Sequence, residues 1–212
     1  MAELKQLYEA VLEGNAKLAR DITEQALAEN VDPQILMQEY MIPAMNEVGH
    51  LYEINEYFVP ELLIAARAMK ASLELIRPLL IESGAEPVGS VVIGTVKGDL
   101  HDIGKNIVGA MLEGAGFEVI DLGVDVAPEK FIEAIKDKKV KLMAMSALLT
   151  TTMGSMKTTI EALQKSGVRD LVKIMIGGAP VTQKYAEDIG ADGYSSNANG
   201  AVALARKLIN AA

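Results

Sequence analysis

One of the two histidines of this chain, His101, lies in a segment whose residue types and spacing could form a ligand site. The segment reads Gly98-Asp99-Leu100-His101-Asp102-Ile103-Gly104, between an apolar β-branched run and an amphipathic stretch. This pattern predicts a loop between the carboxyl end of a strand and the start of a helix, where open α/β sheets bind ligands. An imidazole there can bind a metal or a proton. The alternative is a surface histidine beside a helix N-terminus.

Three more segments follow predicted strands and carry small or hydroxyl-bearing residues. They are Ser146-Ala147-Leu148-Leu149-Thr150-Thr151-Thr152, then Gly177-Gly178, then Asp192-Gly193-Tyr194-Ser195. Taken singly, an N-cap threonine, a tight turn and an ordinary short strand explain them. Because the loops after parallel strands meet at one edge of a sheet, the four segments together predict a long slot for a bulky, flat ligand with polar edges.

Composition excludes several classes of function. The 212 residues include no cysteine, which removes disulfides, iron–sulfur clusters and thiolate zinc sites. A net charge of -9 argues against nucleic acid or an anionic membrane as a partner. The N-terminus lacks the features of a secretory signal, and no uncharged apolar run reaches the roughly 18 residues of a membrane span. We therefore expect a cytoplasmic protein.

The first predicted domain, residues 1–85, shows helical periodicity as far as about residue 83. Leu4, Leu7, Tyr8, Val11 and Leu12 recur at helical spacing. Further helices are expected from a cap at Asn15 to about 29 and from Asp32 onward, with Pro43 as a kink or break. A fourth helix is expected at about 58–81. Four helices with short connections predict a small bundle.

A Gly- and Pro-containing break at residues 84–89 is the predicted domain boundary, and the periodicity changes after it. Strands alternating with helices predict a flavodoxin-like, parallel five-stranded sheet of order 2-1-3-4-5 in a domain spanning residues 88–212. The expected strands are 91–96, 118–122, 142–146, 172–176 and 193–195. The expected helices are 104–115, 128–138, 153–166, 181–188 and 197–210.

The whole chain resembles the corrinoid proteins of anaerobic methyltransferase systems and the cobalamin-binding module of methionine synthase. The Asp-x-His-x-x-Gly loop, the Ser-x-Leu-x-Thr segment and the Gly-Gly pair occur in that family's order and spacing. The helical part contributes a segment similar to the family's cap motif, at residues 48–53, 56–63 and 65–70.

The resemblance implies that the cofactor is cobalamin in the base-off, His-on form, with His101 as the lower cobalt ligand. Asp99 would orient the imidazole, and Thr152 occupies the third position of the relay, where the family usually has serine. Tyr52 and Val59 would lie over the upper corrin face, and a tyrosine where methionine synthase has phenylalanine is a departure. The other implied cofactor-binding residues are Gly98, Asp102, Ile103, Gly104, Ser146, Leu148, Thr150, Gly177, Gly178 and Tyr194.

The implied function is to carry a methyl group on cobalt from a substrate-specific methyltransferase to a second methyltransferase. The acceptor of that second enzyme would be tetrahydrofolate or a thiol coenzyme, and a reductive activase would restore the cofactor. The chain would be a carrier rather than a complete enzyme, with its helical bundle moving on and off the reactive face. Neither the methyl donor nor the acceptor is determined by the sequence.

Three other interpretations stay open at this point. The same loop occurs in subunits of adenosylcobalamin-dependent mutases and in cobalamin-binding regulators that bind DNA, although the bundle and the acidic charge disfavour them. A phospho-acceptor receiver domain is disfavoured because the third strand ends in Ser146 rather than aspartate. The other histidine, His50, is expected to have a structural or surface role.

Overall fold

The computed structural model describes residues 4–82, 87–138 and 140–210, with the side chains of residues 81 and 82 outside that description. The chain forms two compact units. One comprises Met1–Pro87 with Ala110–Gly116, and the other comprises Val88–Gly109 with Phe117–Ala212. The break predicted at residues 84–89 lies partly outside the described residues.

The helical unit is built from amphipathic helices whose ends are capped locally. Asn15 accepts a hydrogen bond from the Leu18 amide and starts the second helix, and Asp32 accepts one from the Gln34 amide. Apolar residues at helical spacing, such as Leu7 and Val11, are fully buried. The helices are α1 (Leu4–Leu12), α2 (Ala16–Ala28), α3 (Pro33–Ile35), α4 (Ile42–Glu53) and α5 (Val59–Glu82), with a π-helical segment at Leu36–Met41 between α3 and α4.

Pro43 does not break the third helix, contrary to one of the two outcomes expected from the sequence. The chain stays helical from α3 through the π-helical segment into α4. The Ile42 amide donates to the carbonyl of Met37, five residues back. Proline has no amide to donate, and a wider turn before it accommodates this loss without ending the helix.

The second unit is a parallel sheet with helices in its connections, as predicted. The strand order is β2-β1-β3-β4-β5, and all four strand pairs are parallel. The strands are β1 (Ser90–Thr95), β2 (Glu118–Asp121), β3 (Leu142–Ser146), β4 (Lys173–Gly177) and β5 (Gly193–Tyr194). The helices are α6 (Ile103–Gly114), α7 (Pro128–Lys138), α8 (Thr150–Lys165), α9 (Gln183–Ile189) and α10 (Ala198–Asn210), with a short 3-10 turn at Arg169–Leu171.

The register of the central strands aligns the loops that carry the candidate residues. The central strands β1, β3 and β4 are almost entirely buried, as expected for a sheet covered on both faces. Thr95 pairs with Ser146, and Ser146 pairs with Gly177. The segments after β1, β3 and β4 therefore leave the sheet at one level and along one edge. In the described part of the chain, no helix is long and apolar enough to span a bilayer.

Candidate functional site

Asp99 is the centre of a polar network at the carboxyl edge of the sheet. Its side chain is fully buried. One oxygen, Oδ1, accepts hydrogen bonds from the His101 amide at 3.0 Å and from His101 Nδ1 at 2.7 Å. The other oxygen, Oδ2, accepts from the Leu148 amide at 2.8 Å and from the Thr152 hydroxyl at 2.6 Å. The network therefore joins the loop after β1 to the start of α8.

The carboxylate of Asp99 caps α8 from a different loop. The amides of Leu148 and Leu149, just before α8, both donate to Oδ2. No side chain adjacent to the start of α8 forms a cap hydrogen bond. The carboxylate thus fixes the two residues that lead into α8, which begins at Thr150 and not at the predicted residue 153.

The surroundings of Asp99 keep it ionised. Burial by itself would raise the pKa of Asp99. Hydrogen bonds from the Thr152 hydroxyl, the amides of His101 and Leu148, and the His101 imidazole outweigh burial and hold this pKa well below its ordinary value. An ionised carboxylate only accepts hydrogen bonds, so the proton shared with the imidazole belongs to Nδ1. In the neutral ring, Nε2 of His101 then carries the lone pair.

His101 is the exposed member of this network. About 48% of its side chain is accessible, whereas Asp99 beneath it is fully buried. Its backbone carbonyl accepts a hydrogen bond from the buried hydroxyl of Thr95 at 2.9 Å. Within the described residues, Nε2 forms no hydrogen bond. The imidazole is thus fixed in tautomer and orientation, with one nitrogen available to a ligand.

Exposed apolar side chains flank the imidazole. Leu100 and Ile103 are 72% and 74% exposed, and Leu148 and Leu149 are 42% and 43% exposed. Apolar residues exposed in one cluster commonly mark a binding surface. Gly104 has open space where a Cβ would be, although glycine in the first turn of a helix costs about 1 kcal/mol relative to alanine. No packing within the protein accounts for this glycine.

The donor set points to one kind of metal centre. Across residues 4–82, 87–138 and 140–210, no group of three His, Cys, Asp or Glu side chains is arranged to hold a metal ion. A single imidazole suffices only when the metal arrives with most of its ligands, as in a tetrapyrrole-like macrocycle. A flat macrocycle also suits the exposed apolar residues around His101. The residues present therefore fit a corrinoid.

The chain's own packing requires Gly178 and leaves little room for a side chain at Gly177, the last residue of β4. Gly178 has φ +130°, and a Cβ there would lie 1.9 Å from the backbone oxygen of Ala147. A Cβ on Gly177 would lie 3.0 Å from the backbone oxygen of Ser195. The tight-turn interpretation is thus sufficient for Gly178, whatever else passes nearby.

The remaining candidate residues lie in varied surroundings. Ser146 ends β3 and is half-buried, Thr150 is exposed at the start of α8, and Asp102 is exposed just before α6. Gly98 has φ +86° within the turn before Asp99. Tyr194 lies inside β5, within the strand expected at 193–195, and packs against the apolar core of the α/β unit.

Two candidates, Tyr52 and Val59, belong to the helical unit. Tyr52 is half-buried near the end of α4, and Val59 is exposed at the first residue of α5. Phe58, directly before it, is 59% exposed and was not singled out from the sequence. The signal in the sequence was an aromatic residue two positions before Pro60, at the start of a predicted helix. His50 is exposed in the last turn of α4.

Family models match both units. A B12-binding domain model matches residues 89–203, and a second B12-binding domain model matches residues 3–77. Trimethylamine corrinoid protein 2 of Methanosarcina mazei is 47% identical to this chain over 94% of it and 93% of that protein. Dimethylamine corrinoid protein 1 of Methanosarcina acetivorans is 43% identical over 97% of both chains.

Solved structures show the same similarity. A cobalamin-binding protein from Desulfitobacterium hafniense superposes with a TM-score of 0.79 at 31% identity, covering 98% of this chain and 99% of that one. A chain of the methanol:cobalamin methyltransferase complex of Methanosarcina barkeri superposes with a TM-score of 0.85 at 31% identity. That match covers 97% of this chain and 79% of the other.

A helical unit joined to a parallel sheet, with one free imidazole at the sheet edge, defines a two-part B12-binding protein. The matches confirm the predicted fold class and the cobalamin cofactor. The chain belongs to the family of corrinoid methyl-carrier proteins that serve methyltransferases.

Proposed function

We propose that this chain carries a methyl group between methyltransferases on a corrinoid bound through Nε2 of His101. The observation that carries this proposal is one half-exposed imidazole, fixed by a buried carboxylate, with its second nitrogen free. When bound, the corrinoid supplies a cobalt centre that accepts and releases the methyl group. Asp99, His101 and Thr152 are the protein groups that act on that centre.

The three residues have separate tasks. Asp99 holds the proton on Nδ1 and so keeps Nε2 free to bind the metal. Thr152 donates to the carboxylate and keeps it in place. Because Asp99 stays ionised, it accepts the Nδ1 hydrogen bond whether or not Nε2 holds a metal, so the orientation of the imidazole would be the same in both states.

We propose that the other candidate residues contact the cofactor. Leu148 and Ile103 present exposed apolar surface beside His101, and Gly104 leaves room above α6. Tyr52 and Val59 are assigned to the upper face of the corrin. The remaining residues assigned to the cofactor and its nucleotide tail are Gly98, Asp102, Ser146, Thr150, Gly177, Gly178 and Tyr194.

Residues 88–212 are proposed as the cofactor domain and residues 1–85 as a cap that shields the cobalt between transfers. The separate family-model matches to the two parts support this division. A reversible crosslink that joins residues 1–85 to residues 88–212 should slow methyl transfer, and cleaving the crosslink should restore the rate. Transfer at full speed in the crosslinked protein would contradict the cap.

The methyl donor is proposed to be a methylamine, delivered by a substrate-specific methyltransferase. Relatives named for trimethylamine and dimethylamine are 41–47% identical to this chain over nearly its full length. The matching chain of the methanol system is 31% identical. A second methyltransferase would pass the methyl group to tetrahydrofolate or a thiol coenzyme, and a reductive activase would maintain the cofactor. Neither a mutase subunit nor a DNA-binding regulator has comparable support.

The decisive experiment reconstitutes the purified protein with hydroxocobalamin and compares its visible spectrum with that of His101→Ala. His50→Ala is the matched control, because His50 is the other histidine, is exposed and is not among the candidate residues. Stoichiometric binding with an imidazole-bound, base-off spectrum is expected for the unmodified protein and for His50→Ala, but not for His101→Ala. Failure to bind any corrinoid, or an unchanged spectrum in His101→Ala, would refute the proposed ligand.

A further inference from the structure

The end of β2 and the loop after it, residues 121–126, contact the segment that carries His101, although no candidate residue was expected there. The Thr95 amide donates to the Gly123 carbonyl at 3.0 Å, and the Val126 amide donates to the Thr95 carbonyl at 2.9 Å. Thr95 in turn holds the His101 carbonyl through its hydroxyl. Through Thr95, this loop is therefore hydrogen-bonded to the segment that positions His101.

Asp125 grips the first end of the His101 segment with two hydrogen bonds. Its Oδ1 accepts from the Gly98 amide at 2.7 Å, and its own amide donates to the Asp99 carbonyl at 3.0 Å. Gly98 has φ +86° in a turn closed by a hydrogen bond from the Asp99 amide to the Val96 carbonyl. Asp125 thus holds the backbone of Gly98 and of Asp99, and this backbone determines the position of the Asp99 carboxylate.

The backbone of Asp125 is itself strained. Its φ of +52° lies in the left-handed region, which costs a residue with a Cβ about 1 kcal/mol or more. Aspartate and asparagine tolerate this conformation better than other side chains, and glycine tolerates it best. A glycine would remove the strain, but it would also remove the carboxylate that holds Gly98. Aspartate provides both tolerance of a positive φ and a carboxylate that accepts the Gly98 hydrogen bond.

Lys105 holds the other end of the segment. Its side chain is only 2% exposed, and its ammonium contacts Asp121 Oδ2 at 2.5 Å and Asn106 Oδ1 at 2.7 Å. It lies in the first turn of α6, where the helix dipole disfavours a cation. Asp121 also accepts from the Gly123 amide, so the ion pair ties the start of α6 to the loop after β2. Stability alone would be served as well by an apolar residue here.

We infer that Asp125 and Lys105 are positioning residues for His101, each tying one end of residues 98–105 to residues 121–126. The inference rests on the proposed function, in which His101 binds the metal. The two residues act through Gly98 and Asp99 on one side and through α6 on the other. They set the position of the imidazole and need not touch the cofactor.

The test uses three substitutions at Asp125 that separate its two properties. Asp125→Asn keeps a side-chain acceptor and tolerates the left-handed backbone conformation. Asp125→Gly tolerates that conformation but has no acceptor, and Asp125→Ala has no acceptor and disfavours the conformation. With hydroxocobalamin bound at fixed pH, the ratio of imidazole-bound to imidazole-free cofactor should fall about tenfold in the glycine and alanine variants. The asparagine variant should stay within about twofold of the unmodified protein. Asn30→Ala, at another left-handed residue (φ +60°) in the helical unit, controls for backbone strain.

A second readout needs no cofactor. Nitrogen-15 NMR of the two imidazoles at pH 8 reports the fraction of His101 with its proton on Nδ1, and His50→Gln assigns the signals. Lys105→Met should keep the cooperative unfolding of the α/β unit but reduce this fraction several-fold, together with imidazole binding to cobalt. A merely structural lysine would change unfolding and leave both readouts unaltered.

The outcomes separate the two hypotheses. The role of Asp125 would be overturned if Asp125→Gly and Asp125→Ala kept the imidazole-bound fraction and the His101 tautomer of the unmodified protein. It would also be overturned if Asp125→Asn lost as much of both as Asp125→Ala. Unaltered readouts in Lys105→Met would overturn the role of Lys105. If the unmodified protein shows no imidazole-bound cofactor, the proposed function fails, and the tautomer measurement still decides whether these residues position His101.

Discussion

The helical unit and the α/β unit are stabilised by different kinds of interaction. Among the described residues of the helical unit, the buried polar side chains are Thr23 and Ser72, whose hydroxyl oxygens lie 3.0 Å apart. The α/β unit buries Thr95, Asp99, Lys105, Thr152 and Thr159. Asp99 alone accepts three hydrogen bonds from residues about fifty positions away, from the Leu148 and Leu149 amides and the Thr152 hydroxyl. In the part that the structure describes, the helical unit has one buried polar contact of that span, the Thr23–Ser72 pair, whereas the site in the second unit depends on a network of them.

Charge divides along the chain in the same way. Residues 1–87 carry 15 acidic and 6 basic side chains, which accounts for the whole net charge of -9, and residues 88–212 carry 14 of each. Several charges of the α/β unit form close pairs, such as Lys105 with Asp121 and Arg169 with Asp192. In the helical unit, the ion pairs of Lys17 and Arg20 are exposed and contribute little. Ion pairs therefore contribute to the structure mainly in the unit that carries the site.

The largest expected effect comes from Asp99→Ala. This change leaves up to five buried or partly buried donors without their acceptor, so the free energy of unfolding of the α/β unit should fall by about 3–5 kcal/mol. Asp32→Ala is the matched control, because Asp32 caps a helix locally in the other unit and should cost about 1 kcal/mol. Urea unfolding followed by hydrogen exchange in each unit measures both. If both variants lost the same free energy of unfolding, Asp99 would be no more important to stability than the local cap Asp32.

A smaller effect is expected at Thr152. Thr152→Val removes the hydroxyl that donates to Asp99 at 2.6 Å and should cost about 1.5–3 kcal/mol, as for other hydrogen bonds to charged groups. Thr152→Ser keeps the hydroxyl and should cost less than about 1.5 kcal/mol, the range for losing one buried methyl.

The matched control for Thr152 is Thr159→Val in the same helix. Thr159 is equally buried, but its hydroxyl bonds only to the Ser155 carbonyl one turn back. Its loss should cost under about 1 kcal/mol, because that carbonyl lies within the helix ladder. Urea midpoints of the three variants decide the comparison. If Thr152→Val and Thr159→Val lose the same stability, the charge on Asp99 adds nothing to the bond.

The sequence predicted the fold well because both periodicities were strong. Helical spacing identified the helices of the first unit, and short apolar runs alternating with helical stretches identified the strands and their parallel order. A break at Pro43 was one of the two expected outcomes and is wrong, because a π-helical turn leaves no mark on apolar spacing. The start of α8 was placed late, and the carboxylate that fixes the residues leading into it, that of Asp99, lies some fifty residues earlier in the chain.

The candidate site was predictable only in part, for the same reason. The loops after β1, β3 and β4 could be paired from the expected strand order. The loop after β2 was overlooked, because the tie between Asp125 and Gly98 depends on a left-handed backbone that the sequence does not reveal. Lys105 was overlooked because a lysine near a helix start is usually exposed. Leu100 and Leu149 were overlooked because apolar residues in loops usually pack inward.

The smallest effect is expected from Ser72→Ala in the helical unit. The Thr23 hydroxyl lies 2.7 Å from the Ala19 carbonyl, so it keeps a partner when Ser72 is removed. The loss should be about 0.5–1 kcal/mol, the net value of an ordinary buried hydrogen bond. Hydrogen exchange of amides in α2 and α5 measures it, with Thr152→Ser as the reference in the other unit. A loss above about 3 kcal/mol would mean that the helical unit also depends on a long-range polar contact, and the contrast between the units would disappear.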